Sequence, residues 1–172
     1  ETIELLKILN YQGNYTYKLI VLGGEKKENI NENIFFIGEI KPHLLSKWYR
    51  TGDVYVHLAW IEPCGNTQIE AMASGLPVVC CNNGGIGETV KHANAGVVVD
   101  CDQKFEMKYI DYYNPPKPNY IKLVTAINNI FNNLKKYKNE INNNYLDIDF
   151  GARLYYEFIR DIYYEKFSKK NY

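Results

Sequence analysis

The sequence predicts an α/β fold in which a parallel β-sheet carries helices on both of its faces. Three observations lead to this prediction. Short runs of β-branched and other apolar residues alternate with stretches that have helical periodicity. The runs are apolar without interruption, as expected of strands buried on both faces. Glycine pairs and polar segments follow these runs, where the loops at the carboxyl ends of parallel strands would lie.

The composition indicates a single globular domain, which we assign to residues 1–172. The chain has 172 residues, 46% of them hydrophobic, and a formal net charge of zero, so it is long enough to bury a core. The balanced charge argues against nucleic-acid binding through bulk charge. No apolar run approaches the roughly 20 residues of a membrane span. The cysteines lack a Cys-x-x-Cys spacing, so we expect reduced thiols in a cytoplasmic protein and no metal site.

The elements of the first half each have a local signal. The opening residues place their apolar side chains at helical intervals. The first strand is apolar and ends at Gly23-Gly24, and Pro42 suits the first turn of a helix. The predicted order is a helix over residues 1–9, strands over 18–22 and 34–37, a helix over 42–49 and a strand over 54–58.

The second half continues the alternation and then becomes helical. Gly75 should stop a helix that begins near Gly65, and the segment 100–119, with three prolines, is expected to be irregular. Residues 120–168 form a C-terminal helical part, in which apolar residues recur at helical spacing. The predicted order is a helix over 65–74, a strand over 78–81, a short helix over 88–92, a strand over 95–99, and helices over 120–138 and 150–167 joined by the Asn-rich 139–144.

The stretch from Glu62 to Pro77 carries the clearest functional signal. Glu62 and Glu70 lie on either side of a helix start that is led by Gly65. A helix N-terminus presents unpaired N–H groups and partial positive charge, and therefore attracts phosphate. A carboxylate beside it accepts hydrogen bonds from sugar hydroxyls. The residue types thus predict a site for a phosphorylated sugar or a nucleotide-sugar.

Structural interpretations of the same residues remain open at this point. Thr67 and Glu70 fit a capping box, with Thr67 as the N-cap and Glu70 three residues later. Glu62 alone fits a solvated acid on a loop. Trp60 could stack on a sugar ring, although packing is the favoured role. His57 is either structural or part of a cleft, and Asp100-Cys-Asp102 has the Asp-x-Asp form of some metal sites but follows the last parallel strand.

The order of motifs from Tyr17 to Asp100 resembles the C-terminal half of a GT-B glycosyltransferase, close to the large retaining family 4 (glycosyl transferases group 1). Several motifs appear in register over this stretch, which makes the resemblance specific. They are Ile20-Val-Leu-Gly-Gly24, Phe36-Ile-Gly38, Gly52-Asp-Val54, Glu62-Pro-Cys-Gly65, Glu70-Ala-Met-Ala-Ser-Gly75, Leu76-Pro-Val78 and Gly84-Gly-Ile-Gly-Glu88.

The resemblance implies a Rossmann-like domain that binds a nucleotide-sugar donor, such as a UDP- or GDP-hexose, without a further cofactor. By resemblance, Glu70 holds the ribose hydroxyls, and Glu62 holds hydroxyls of the transferred sugar and is the catalytic residue. Backbone N–H groups at Asn66 and Thr67 face the sugar and diphosphate, and the backbone near Ile40 contacts the nucleobase. The implied donor-binding set is Gly23, Gly38, Ile40, Glu62, Gly65, Asn66, Thr67 and Glu70.

The resemblance also implies a larger enzyme, which transfers a hexosyl group with retention to a glycan or a lipid-linked acceptor. We expect the family's diphosphate-binding Arg and Lys to lie before Glu1, and the acceptor domain and any peripheral membrane contact to belong to an absent N-terminal half. The fragment alone should not turn over substrate. The chain departs from the family pattern at Leu58-Ala59, in place of Pro-Ser, and at Cys64, in place of Phe.

Two other functions stay open from the sequence. One is a different GT-B enzyme, such as a sugar-nucleotide 2-epimerase or a glycogen-type synthase. The other is a non-catalytic Rossmann-like interaction domain with a vestigial pocket.

Overall fold

A computed structural model describes residues 1–13, 15–28, 31–106, 111 and 114–167 of the chain. In this part of the chain, five β-strands and four α-helices precede a C-terminal part that contains three further α-helices. The elements are α1 (Thr2–Gln12), β1 (Leu19–Leu22), β2 (Ile34–Gly38), α2 (Pro42–Tyr49), β3 (Tyr55–His57), α3 (Asn66–Ala73), β4 (Val78–Cys81), α4 (Gly85–His92), β5 (Gly96–Val99), α5 (Tyr120–Asn132), α6 (Leu134–Glu140), a 3₁₀ turn (Asn143–Leu146) and α7 (Ile148–Phe167).

The strand pairs are all parallel, which confirms the predicted α/β class. The strands form two sheets, however, and not one continuous sheet: β1 pairs with β2, and β4 lies between β3 and β5. Within the described residues, no ladder joins β1 to β3. The two sheets are therefore separated at the place where β1 faces β3.

Helices cover both faces of the strands, as the apolar runs predicted. In β4, Val79 belongs to the core cluster that includes Leu5 of α1 and Leu123 of α5. Its neighbours Val78 and Cys80 belong to a second cluster with Met72 of α3 and residues of α4. Successive strand residues point to opposite faces, so β4 is buried on both sides and needs apolar residues at every position.

The prediction of a single helix over residues 120–138 is wrong in one respect, because the helix breaks at Asn133. That residue has φ −129° and ψ 28°, and it separates α5 from α6. Its side-chain amide donates to the backbone and side-chain oxygens of Asn129, at 3.0 and 3.2 Å. Side-chain bonds of this kind compete with the helical backbone pattern. The predicted linker 139–144 is also partly wrong, since α6 continues to Glu140 and the 3₁₀ turn begins at Asn143.

The break at Asn133 lets α6 and its C-terminal neighbours return to the strands. Lys138 Nζ lies 3.4 Å from the carbonyl oxygen of Gly52 and 3.4 Å from Asp53 Oδ1. The N–H of Asn142 donates to the carbonyl oxygen of Ala93 at 2.7 Å. The C-terminal part is thereby tied to the ends of β3 and α4.

Two other sequence boundaries can be compared with the structure. The short helix predicted over residues 88–92 begins earlier, at Gly85, because Gly84 takes φ +89° and serves as its N-cap. In the predicted irregular segment 100–119, the described residues contain no helix or strand. Residues 107–110, 112–113 and 168 lie outside the described residues, and these include the tyrosines at 109, 112 and 113.

The start of β5 requires a glycine. Gly96 has φ +151°, and a Cβ atom there would lie 1.9 Å from the carbonyl oxygen of Val78, to which it is paired in the ladder. We expect Gly96→Ala to lower the free energy of unfolding by about 2–4 kcal/mol, because the β4–β5 backbone must move. Urea unfolding followed by circular dichroism measures this change.

Gly151→Ala is the matched control, because Gly151 lies in α7 with open space around its Cα atom. It should be neutral or stabilising by up to about 1 kcal/mol. Equal stability of the Gly96 variant and the parent chain would contradict the close approach of β4 and β5.

Candidate functional site

Polar loops gather at the carboxyl ends of the strands, as the sequence predicted. Gly23 follows β1 and Gly38 ends β2, and the N–H of Gly23 donates to the carbonyl oxygen of Gly38 at 2.8 Å. Both glycines have positive φ, +92° and +83°. The loop that carries Glu62 follows β3, and Gly84 follows β4. In parallel sheets ligands bind at this edge.

The backbone of the Glu62 loop rests directly on the start of α4. The N–H of Glu62 donates to the carbonyl oxygen of Asn83, and the N–H of Ile86 donates to the carbonyl oxygen of Glu62, both at 3.3 Å. A Cβ atom on Gly84 would lie 2.4 Å from the carbonyl oxygen of Glu62, and one on Gly85 would lie 2.3 Å from that of Pro63. Only a glycine pair allows this approach, so it fixes the backbone position of Glu62.

The carboxylate of Glu62 is held at one oxygen and partly open to solvent. Oε1 accepts a hydrogen bond from the N–H of Cys64 at 3.2 Å. Oε2 lies 4.0 Å from Nε2 of His57, and the Glu62 side chain is 31% exposed. A carboxylate has about four acceptor positions, so Glu62 keeps capacity for hydroxyl donors of a ligand.

His57 brings a half-buried imidazole next to Glu62. Its side chain is 17% exposed, and Nε2 is buried without a hydrogen-bond partner. Burial lowers the pKa of His57, and the charge of Glu62 opposes this effect. The ring is therefore neutral at pH 7. Nε2 is a polar atom whose missing partner could be a ligand group.

The N-terminus of α3 is free of side-chain caps. Gly65 is its N-cap, with φ −87° and ψ 106°, and there is no side-chain cap hydrogen bond at this helix start. Gly65 is buried, whereas Asn66 and Thr67 are exposed. The first N–H groups of a helix need partners from outside the helix, and together with the helix dipole they favour an anion.

The capping-box interpretation is wrong, because Thr67 and Glu70 make other contacts. The helix already begins at Asn66, which places Thr67 inside its first turn. The hydroxyl of Thr67 is 2.8 Å from that of Tyr55. The hydroxyl of Tyr49 donates to Glu70 Oε2 at 3.1 Å, and burial, followed by this bond, raises the pKa of Tyr49. Glu70 is therefore held by a neutral donor and is otherwise exposed.

The structure brings some of the expected site residues into contact and leaves others apart. Glu62 approaches the cap residue Gly65, since a Cβ there would lie 3.4 Å from Glu62 Cγ. Asn66, Thr67 and Glu70 follow on α3. Gly23, Gly38 and the half-buried Ile40 lie at the end of the other sheet. No hydrogen bond or ion pair between these described residues joins the two groups.

Sequence reasoning missed three supporting residues. Tyr49 and Tyr55 hold Glu70 and Thr67, but their sequence positions resemble those of ordinary core aromatics. Gln68 is fully buried and its Nε2 donates to Thr89 Oγ1 at 2.8 Å, which links α3 to α4. Its Oε1 is buried without a partner. A polar residue in a short helix resembles a surface residue, so the sequence contains no signal for this burial.

The remaining candidates have structural contacts. Trp60 is 7% exposed, packs against Phe105 and donates from Nε1 to the carbonyl oxygen of Gln103, which agrees with the favoured packing role. Asp102 accepts hydrogen bonds from Asn119 and Lys122. In the part of the chain that is described, no three His, Cys, Asp or Glu side chains form a group that could hold a metal ion. None of the described helices is both long and apolar enough to cross a membrane.

Parallel strands, crossover helices and polar loops at one edge define a Rossmann-like α/β domain. The chain belongs to the glycosyl transferases group 1 family, whose model matches residues 1–146. Spore coat protein SA of Bacillus subtilis (strain 168) is 33% identical over 91 residues, which cover 52% of this chain and 23% of that protein. Sulfoquinovosyl transferase SQD2 of Arabidopsis thaliana is 34% identical over 119 residues, and the match covers 60% of this chain and 23% of that protein.

Solved structures show the same fold at low sequence identity. A sucrose-phosphate synthase from Thermosynechococcus elongatus superimposes with a TM-score of 0.65 at 21% identity, covering 98% of this chain and 43% of that one. Anabaena HepE in complex with UDP superimposes with a TM-score of 0.61 at 18% identity. The match covers 91% of this chain and 44% of that one. The fold is therefore that of one half of a GT-B glycosyltransferase. The chain spans under half of these structures and about a quarter of the two relatives.

Replacing Glu62 by glutamine should lower the pKa of His57 further, because Glu62 is the charge that opposes the effect of burial. NMR titration of the imidazole ring protons in both proteins measures this change. Glu157→Gln is the matched control, because Glu157 is an exposed residue of α7, and it should leave the pKa of His57 unchanged. A higher or unchanged pKa of His57 in the Glu62 variant would refute the contact.

The lowered pKa of His57 in the folded chain makes the free energy of unfolding depend on pH. Because the pKa of His57 is lowered in the folded chain, the unfolded chain takes up the proton first, at about pH 6.5. The contribution of His57 to stability is complete above that pH and is lost as the pH falls towards the folded-state pKa.

Proposed function

We propose that this chain is the donor-binding domain of a glycosyltransferase that transfers a hexosyl group from an NDP-sugar. The observation that carries the proposal is the Glu62 carboxylate next to the uncapped N-terminus of α3. Family membership and the UDP complex of a protein with the same fold support a nucleotide-sugar as the ligand.

Each part of the ligand has a chemically suited partner in this proposal. The N–H groups of Asn66 and Thr67 bind the diphosphate and stabilise its charge as the nucleoside diphosphate departs. Glu62 accepts hydrogen bonds from hydroxyls of the transferred sugar. Glu70 accepts both ribose hydroxyls, and Tyr49 keeps its side chain in place. A diol requires an acceptor with two oxygens, which a carboxylate provides.

The other sheet contributes the nucleobase side of the site in this proposal. Gly23 and Gly38, in their left-handed backbone conformations, let the main chain approach the ligand closely. The backbone at Ile40 contacts the base. Main-chain contacts of this kind do not determine which nucleobase binds. The binding experiment below therefore includes UDP-, GDP- and ADP-sugars.

The rest of the reaction is proposed for the whole protein. Transfer proceeds with retention of configuration to a glycan or lipid-linked acceptor bound by a second domain, in the cytoplasm, and any membrane contact belongs to that domain. This chain alone binds the donor without turnover.

Glu70→Ala should weaken nucleotide binding by roughly 10-fold or more, because a charged acceptor of two hydroxyl groups is lost. Ligand-observed NMR against UDP, GDP, ADP and their hexose conjugates measures binding to the parent chain and to the variant. Glu157→Ala is the matched control, since Glu157 is an exposed residue of α7. Equal binding by the Glu70 and Glu157 variants would refute the role of Glu70.

Glu62→Gln in the full-length protein should reduce hexosyl transfer by about 100-fold, because the sugar loses a charged partner in the transition state. The rate of hexosyl transfer from labelled NDP-hexoses is measured for the parent protein, the Glu62 variant and the control variant Glu157→Gln. The anomeric proton coupling of the product shows whether the configuration is retained. A 2-epimerised nucleotide-sugar or an α-glucan polymer as product would identify the other GT-B enzymes. Binding without any conversion by the full-length protein would identify a non-catalytic domain.

A further inference from the structure

The Nε2 atom of His57 is a buried hydrogen-bonding group that has no partner in the part of the chain that the structure describes. Folded proteins rarely leave such an atom unpaired without a reason. The strand itself does not require a polar side chain here, since the backbone of His57 is already paired with Cys80 of β4. The imidazole is therefore expected to do more than fill space at the end of β3.

The carboxylate of Glu62 is the acceptor placed to satisfy this atom. Its Oε2 lies 4.0 Å from Nε2 of His57, which is about 1 Å longer than a hydrogen bond. Because Nε2 is closed to solvent, neither water nor a ligand hydroxyl reaches it from outside. A small movement of the Glu62 side chain, by contrast, brings the two atoms together.

The surroundings of Glu62 allow this movement of the side chain but not of the loop. The loop backbone is fixed against Gly84, whereas the carboxylate is held only at Oε1, by the N–H of Cys64 at 3.2 Å. The helix cap Gly65 has no side chain, and a Cβ there would lie 3.4 Å from Glu62 Cγ. The last torsion of a glutamate has a broad energy well. Oε2 can therefore shift while the rest of the residue stays in place.

The groups that face the imidazole leave it uncharged. The ring of Tyr55 stacks on it at 6.3 Å, and Cys80 is opposite it on β4. Burial raises the pKa of the Tyr55 phenol and of the Cys80 thiol, so both are neutral. Glu62 is the charge that acts on the ring, and burial outweighs it. A neutral imidazole donates one N–H without cancelling the charge that attracts hydroxyl groups to Glu62.

We propose that His57 is a positioning residue for Glu62. When a sugar occupies the site, Nε2–H of His57 donates to Oε2, while the N–H of Cys64 continues to hold Oε1. The inference rests on the proposed function, in which Glu62 binds hydroxyls of the transferred sugar. Two donors fix the plane of the carboxylate, and its remaining acceptor positions then face the sugar. His57 acts through Glu62 and does not touch the donor itself.

This role predicts a loss that is confined to the sugar part of the ligand. Glu62 serves the transferred sugar, whereas Glu70 and the first turn of α3 serve the nucleotide in the proposed function. Loss of the imidazole donor should therefore weaken binding of an NDP-hexose and leave binding of the free NDP unchanged. A general defect at the end of β3 would instead reach α3 through the hydroxyl contact between Tyr55 and Thr67, and would weaken both ligands.

Three variants of the full-length protein test the proposal. His57→Leu removes the donor and keeps an apolar side chain of moderate size. His57→Gln restores an N–H donor at the Nε2 position but does not titrate. His92→Leu is the matched control, because His92 is exposed at the C-terminal end of α4.

Two measurements compare these proteins. The first gives the dissociation constants of UDP, GDP, ADP and their hexose conjugates, together with kcat and KM of hexosyl transfer. The second is the ¹⁵N NMR spectrum of the His57 ring in this chain without ligand, which shows whether Nδ1 or Nε2 carries the proton.

The expected result is a proton on Nε2 and, in the Leu variant, about 10-fold weaker binding of the hexose conjugate and a kcat lower by about 10-fold or more. Affinity for the free nucleotide should not change. The Gln variant should recover to within about 3-fold of the parent protein, and the His92 variant should equal it.

Three outcomes would overturn the inference alone. They are a proton on Nδ1, an equal loss of affinity for nucleotide and conjugate in the Leu variant, and a Gln variant no better than the Leu variant. A parent protein that binds none of the nucleotides would instead refute the proposed function, and the inference with it.

Discussion

The close approach of two backbone segments determines the geometry of the candidate site. The loop after β3 and the start of α4 are in direct contact at Gly84 and Gly85, where no side chain would fit. This contact fixes where Glu62 lies, and the hydrogen bond from Cys64 then orients its carboxylate. Gln68 continues the same link through the interior, from α3 to α4. The first turn of α3 is therefore positioned by α4 and not only by its own strand.

The hydrogen-bond donors to the two carboxylates of the site are neutral groups. Glu62 is bonded to a backbone N–H and Glu70 to a phenol, and the imidazole beside Glu62 is kept uncharged by burial. No described lysine or arginine forms an ion pair with either carboxylate. Carboxylates oriented in this way keep acceptor capacity for hydroxyl groups, whereas a bidentate arginine would occupy it. The uncapped helix start supplies positive potential without a side chain that competes for the acids.

Most elements were predictable where one local rule decides the structure. The bounds of α2 and β4 agree with the prediction because Pro42 opens the helix and an unbroken apolar run fixes the strand. The division of the sheet was not predictable, since strand composition is the same whether or not a neighbour is present. Likewise, the sequence indicated Glu62, Glu70 and Gly65 but not Tyr49 or Gln68. These residues act through contacts between elements, and no local pattern contains such contacts.

The break at Asn133 has a consequence for how the chain folds. It directs Lys138 to Gly52 and Asn142 to Ala93, and these contacts close long stretches of chain. The connections through α3 and α4, by contrast, span few residues and can form early. Closing a long loop costs entropy before its contacts compensate for it. The C-terminal helices are thus expected to join last, so that the order of assembly follows the order of synthesis.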